Sequence, residues 1–102
     1  IRRCTMATFL ALLNFTDQGI RSVKDTTKRA AAARELAKAA GIDMKAIYWT
    51  LGQYDLAVIC EGPDDAAMTA FGLALAAAGN VRSQTLRAFS ADEMNGILSK
   101  MP

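Results

Sequence analysis

The side chains best able to do chemistry gather in one short stretch. Tyr54 and Asp55 follow Leu51-Gly52-Gln53, and Trp49 lies just upstream. A tyrosine hydroxyl can donate a hydrogen bond, and an aspartate can anchor a ligand or take a proton. The competing use is structural, with Asp55 bonding a backbone amide or an arginine and Tyr54 packing at a strand start. Glu61 and Arg87 are a second pair, because each breaks an otherwise apolar run. A charge there needs water or a partner, since burying it alone is costly. A salt bridge between subunits, with the polar end of a pocket behind it, meets that need, and Arg82 offers the same choice. Tyr48 and Trp49 are adjacent, so in a strand they point to opposite faces. The candidate ligand-binding residues are Tyr54, Asp55, Trp49, Glu61 and Arg87, and no catalytic residue is assigned.

The composition excludes much else. The chain has no histidine, which removes the commonest metal ligand, the usual general base and the usual haem ligand. Its two cysteines, Cys4 and Cys60, do not form a CxxC pair, and Cys60 lies in an apolar run where a thiol behaves as a small hydrophobe. No metal and no cofactor is expected, and a reducing, cytoplasmic compartment is. Ser83, Ser90 and Ser99 lack a histidine to activate them, and no phosphate-binding glycine fingerprint occurs. A net charge of +2 is too small to argue for nucleic acid. Arg21, Lys24, Lys28, Arg29, Arg34 and Lys38 read as the solvated face of a helix. The longest apolar-biased run, Ala66 to Ala78, is too short to cross a bilayer.

The elements that must position these residues follow from the pattern. The 102 residues, 52% apolar, make one domain with one core. Residues 1–5 read as a disordered leader or upstream remnant, with Met6 as a natural start and residues 6–102 as the single domain. Ala7 to Phe15 is nearly all apolar and reads as a central strand buried on both faces. A short helical turn over Asp17 to Val23 follows, capped by Thr16 or Asp17. Lys24-Asp25-Thr26-Thr27 interrupts, and an alanine-rich helix then runs to Ala40 and stops at Gly41. Its small side chains are expected to let it lie tight on the sheet.

Met44 to Leu51 and Tyr54 to Glu61 read as a hairpin around Gly52-Gln53, because a type II′ turn needs positive φ at its first central residue. This register pairs Trp49 with Leu56, Ile47 with Val58 and Lys45 with Cys60, and that set is expected under the helices. Tyr48, Ala57, Ala46, Ile59, Met44 and Glu61 then face outward. Pro63-Asp64-Asp65 opens a second long helix, apolar almost all round, that ends at Gly79-Asn80. Val81 to Phe89 reads as an edge strand. Ser90 and Glu93 form a capping box for a last helix with a Met94, Ile97, Leu98 and Met101 stripe.

The order β-α-β-β-α-β plus a terminal helix is an α+β, ferredoxin-like plan with a four-stranded antiparallel sheet ordered 4-1-3-2. At this point the turn is recognisable. Thr50-Leu51-Gly52-Gln53-Tyr54-Asp55 resembles the signature of the GYD family, small bacterial proteins named for a Gly, a Tyr and an Asp here taken by Gly52, Tyr54 and Asp55. Glu61-Gly62-Pro63-Asp64-Asp65 and the stretch from Gly79 to Phe89 resemble the same family, over about residues 7 to 99. The resemblance implies a ferredoxin-like domain of the dimeric α/β-barrel kind and no particular reaction.

Three function classes follow. One is an oligomeric module, a homodimer or assembly of dimers, that binds a small molecule or a partner. The second is a cofactor-independent monooxygenase-like or isomerase-like enzyme, which needs an enclosed apolar pocket with one or two polar groups. A pocket filled by Phe71, Met68 and Leu75 excludes that reading, and one reached by a Tyr or Trp supports it. The third is a purely structural subunit without a pocket.

Overall fold

The computed structural model describes residues 6–102. The leader expected at residues 1–5, and Cys4 within it, lie outside the described residues. Strand β1 (Ala7–Phe15) leads to helix α1 (Asp17–Arg21), a 3-10 turn at Val23–Asp25 and helix α2 (Thr26–Ala39). Strands β2 (Asp43–Trp49) and β3 (Leu56–Gly62), helix α3 (Asp65–Ala77), strand β4 (Val81–Ala88) and helix α4 (Ala91–Leu98) complete the chain. The sheet is four-stranded in the order β2-β3-β1-β4, with every neighbouring pair antiparallel. This is the expected α+β, ferredoxin-like arrangement.

Local chemistry sets the element ends. Thr16 caps α1, its hydroxyl accepting from the Gly19 amide at 3.0 Å. Helix α2 ends in a Schellman motif. Gly41 takes φ +81°, its amide bonds Lys38 O at 3.0 Å, and Ile42 N bonds Ala37 O at 2.8 Å. That geometry drives Ile42 into the core, where it is only 1% exposed. The Asp64 carboxylate caps α3 through the Ala67 amide at 2.8 Å. Ser90 and Glu93 form the expected capping box on α4.

The core lies between the sheet and the helices. Phe9, Ala11 and Leu13 of β1, Leu56, Val58 and Cys60 of β3, and Met44 of β2 meet Ala37, Met68 and Phe71. Burying each large apolar side chain contributes roughly 1.5–3 kcal/mol, so this layer holds the sheet to its helices. β1 is central, as expected, but buried on one face only: its alternate residues Leu10 and Leu12 stay half-exposed.

Two details of the hairpin depart from expectation. The ladder ends at Trp49 and Leu56, so the connection is the loop from Thr50 to Asp55 and not a two-residue turn. Asp55 is drawn aside to β1: its amide donates to Leu13 O at 2.8 Å, and its carboxylate accepts from the Phe15 amide at 2.9 Å. Gly52 keeps the expected positive φ, at +120°. Ile47, Tyr48 and Trp49 pair as expected, but a bulge falls between Met44 and Ala46. Met44, not Lys45, therefore lies opposite Cys60, and Asp43 lies opposite Glu61. The physical reason is the lysine. Held in the regular register, its ammonium would sit under the helices. The extra residue puts Met44 there instead, 4% exposed, and turns Lys45 out between Asp43 (3.3 Å) and Glu61 (3.8 Å).

Candidate functional site

Small side chains on facing elements leave a slot between α2, α3 and the sheet. Ala37 at the C-terminal end of α2 is fully buried, but Ala30 and Ala33 are not, and both line the opening. The expectation that α2 lies tight on the sheet therefore holds at one end only. An alanine is too short to fill the distance that Phe71, Met68 and Leu75 set between α3 and the sheet. Those three side chains line the slot and leave it open, with a volume of about 270 Å³. For comparison, an apolar cavity of roughly 150 Å³ accepts benzene.

The walls are largely apolar, with Ser83 and Thr85 along β4 as uncharged exceptions and a further group of polar residues around Arg29. Thr26 and Arg29 come from the first turns of α2, and Asn80 from the connection after α3. Arg29 is fixed. Its Nη1 donates to Ser22 O at 2.9 Å and to Ser22 Oγ at 2.7 Å, and its Nη2 donates to Gly19 O at 3.1 Å. Its guanidinium also lies 5.8 Å from the Phe15 ring centroid. Cys60 forms part of the floor, and burial pushes its thiol up to about 11, with the Asp43 charge adding to the effect. Among the described residues no group of three or more His, Cys, Asp or Glu could hold a metal ion, and no helix is long and apolar enough to cross a membrane.

The five candidate residues do not share one surface. Trp49 is next to the slot: its indole N–H donates to Thr26 Oγ1 at 3.0 Å. Tyr54 and Asp55 meet β1 and β4 at the same loop end of the hairpin. The Tyr54 hydroxyl bonds Gln84 Oε1 at 2.7 Å, and Asn14 Nδ2 donates to Gln53 O at 2.8 Å. Glu61 stands on the sheet face away from the helices, near Lys45. Arg87 lies on the edge strand, 3.8 Å from Glu93 and 4.6 Å from the Phe89 ring centroid, beside a second groove between α3 and β4. Arg82 lines that groove too.

Arg29 was expected on a solvated helix face and instead lines the slot. Arg34 likewise turns inward, donating to Met44 O at 2.8 Å. The available signal was the alanine run 30–33 facing a second alanine-rich helix, a pattern that also fits close packing.

A family profile described as GYD domain matches residues 9–98. The chain belongs to the GYD domain family. Among curated proteins and solved structures, none matches the chain. In this GYD domain Gly52, Tyr54 and Asp55 shape and anchor the connection after β2, through the positive φ and the bonds to Gln84, Leu13 and Phe15.

Proposed function

We propose that this GYD domain is an oligomeric binding module that holds a small apolar molecule in the slot between α2, α3 and the sheet. The slot itself carries the reading: about 270 Å³ of largely apolar space, with a few polar groups in its lining, is the form of a small-molecule site. Binding is favoured over proton-transfer catalysis by the lining. It offers no carboxylate, and the Cys60 thiol is held neutral at ordinary pH. A free, buried Cys60 suits a reducing, cytoplasmic setting.

Oligomerisation is supported by the face that the helices leave bare. Tyr48 (60% exposed), Ile59 (38%) and Leu86 (39%) stand there beside Leu10 and Leu12. A second copy pairing face to face covers both patches at once, the commonest symmetric solution. Two measurements test the proposal. Titration with 2-naphthol, read through the fluorescence of Trp49, should saturate, and Ala33→Phe, which fills the slot, should abolish the response. Sedimentation at micromolar concentration should give a dimer or larger, and Ile59→Asp should shift it to monomer. An unresponsive Trp49 rejects the ligand site, and a single species of monomer mass rejects the assembly.

A further inference from the structure

Arg29 is the only ionised side chain in the slot lining among the described residues, and no carboxylate there lies within ion-pair distance of it. Its three hydrogen bonds go to two backbone carbonyls and a hydroxyl, none of which neutralises the charge. Of the five N–H groups of a guanidinium, the Nε–H and one on Nη2 have no acceptor among the described residues. The guanidinium is therefore held in place before any ligand arrives, with donors to spare. We propose that the slot takes a small ring carboxylate, its ring against the apolar walls and its carboxylate on Arg29. This rests on the reading of the slot as a ligand site and specifies the class of ligand.

Each part of that class has a physical source. The volume exceeds that of a benzene-sized cavity and suits one ring or two fused rings. A cationic ligand would meet Arg29 with like charge. A neutral one would leave the guanidinium without a counter-charge as its water is displaced. A carboxylate supplies one negative charge and acceptors for both remaining N–H groups. Thr26 and Asn80 stand near Arg29 and present polar groups to the head, while the ring meets mainly apolar side chains, with only the neutral hydroxyls of Ser83 and Thr85 on the β4 side.

The experiment compares 2-naphthoate with 2-naphthol at pH 7, by Trp49 fluorescence and by calorimetry. The naphthoate should bind about tenfold more tightly, the equivalent of one charge-assisted hydrogen bond, and its affinity should fall with added salt while that of the naphthol does not. Arg29→Met should remove the preference, so that the naphthoate, left without a counter-charge, binds no more tightly than the naphthol. Arg29→Lys should keep part of the difference. Equal binding of the two probes by the unaltered protein, without salt dependence, overturns the carboxylate assignment and leaves the slot as a site for neutral ligands. Failure of both probes to bind overturns the slot reading as well. Because the probe comparison and the salt series use the unaltered protein, they decide the matter even if Arg29→Met does not fold.

Discussion

Asp55 joins three strands with one residue. Its amide and carboxylate reach β1, and its carbonyl accepts from Thr50 N at 2.8 Å at the end of β2. Removing the carboxylate leaves the Phe15 amide without its acceptor. Asp55→Ala is expected to cost about 1–3 kcal/mol in urea unfolding, with Asp55→Asn costing less because the amide oxygen still accepts. Cys60 gives a prediction of a different kind. Its folded pKa of about 11 lies above the ordinary thiol value. Above pH ~9 the unfolded chain loses the thiol proton while the folded chain keeps it, so the folded state binds more protons. Stability should be unaffected by this group below pH ~9 and fall as pH rises toward 11. The difference in urea midpoint between the wild type and Cys60→Ala, followed across that window, isolates the effect from other titrating groups. Iodoacetamide should also modify Cys60 slowly at pH 8 in folded protein and rapidly in urea.

At the scale of the element, α4 is held by its capping box. Glu93 Oε1 accepts from Ser90 N at 2.9 Å, and Ser90 Oγ accepts from Glu93 N at 3.1 Å. The Ser90 amide, with Arg87 as a lesser contributor, holds the Glu93 carboxyl below its usual range. A depressed carboxylate pKa adds stability above the unfolded value and loses it as pH falls through the folded one. Helix α4 should fray first on acidification. Ser90→Ala should speed amide exchange in residues 93–98 about fivefold at neutral pH, near the typical 1 kcal/mol of a cap, while β1 and β3 amides remain as protected as before.

Caps of this kind were legible in the sequence, as were the order of elements, the central place of β1 and the edge place of β4, because each follows from local residue chemistry. The bulge was not legible, since Lys45 leaves the ladder only to keep its charge from under α2 and α3. The slot was not legible either: whether alanines bring helices close or leave a gap depends on what Phe71 and Met68 wedge between them. Of the five candidate site residues none lines the slot itself, though Trp49 bonds Thr26 and Asp55 bonds Leu13 and Phe15, which do, and Arg29 was missed because a charge on helical spacing normally means solvent.

The whole molecule is drawn out, 50 × 31 × 19 Å, with α2 and α3 packed on one side of the sheet. The stripe of α4 is exposed at Met94, Ile97, Leu98 and Met101. The bulge at Lys45 has a consequence for how such molecules behave in a crowd. β2 is an edge strand, and an edge is a template onto which another chain can add. Here the template is broken by an unpaired residue, and that residue is a lysine. Deleting Lys45 would join Met44 to Ala46 opposite the consecutive residues Cys60 and Ile59, giving an unbroken ladder with a smooth, less charged rim. The shortened chain should fold, and under agitation it should form thioflavin-binding fibrils sooner than the wild type. A deletion variant that stays clear as long as the wild type would mean that Lys45 does not guard this edge. On this expectation the residue that interrupts the sheet sets the colloidal lifetime of the protein, a break in one strand that would keep separate copies from growing into a common one.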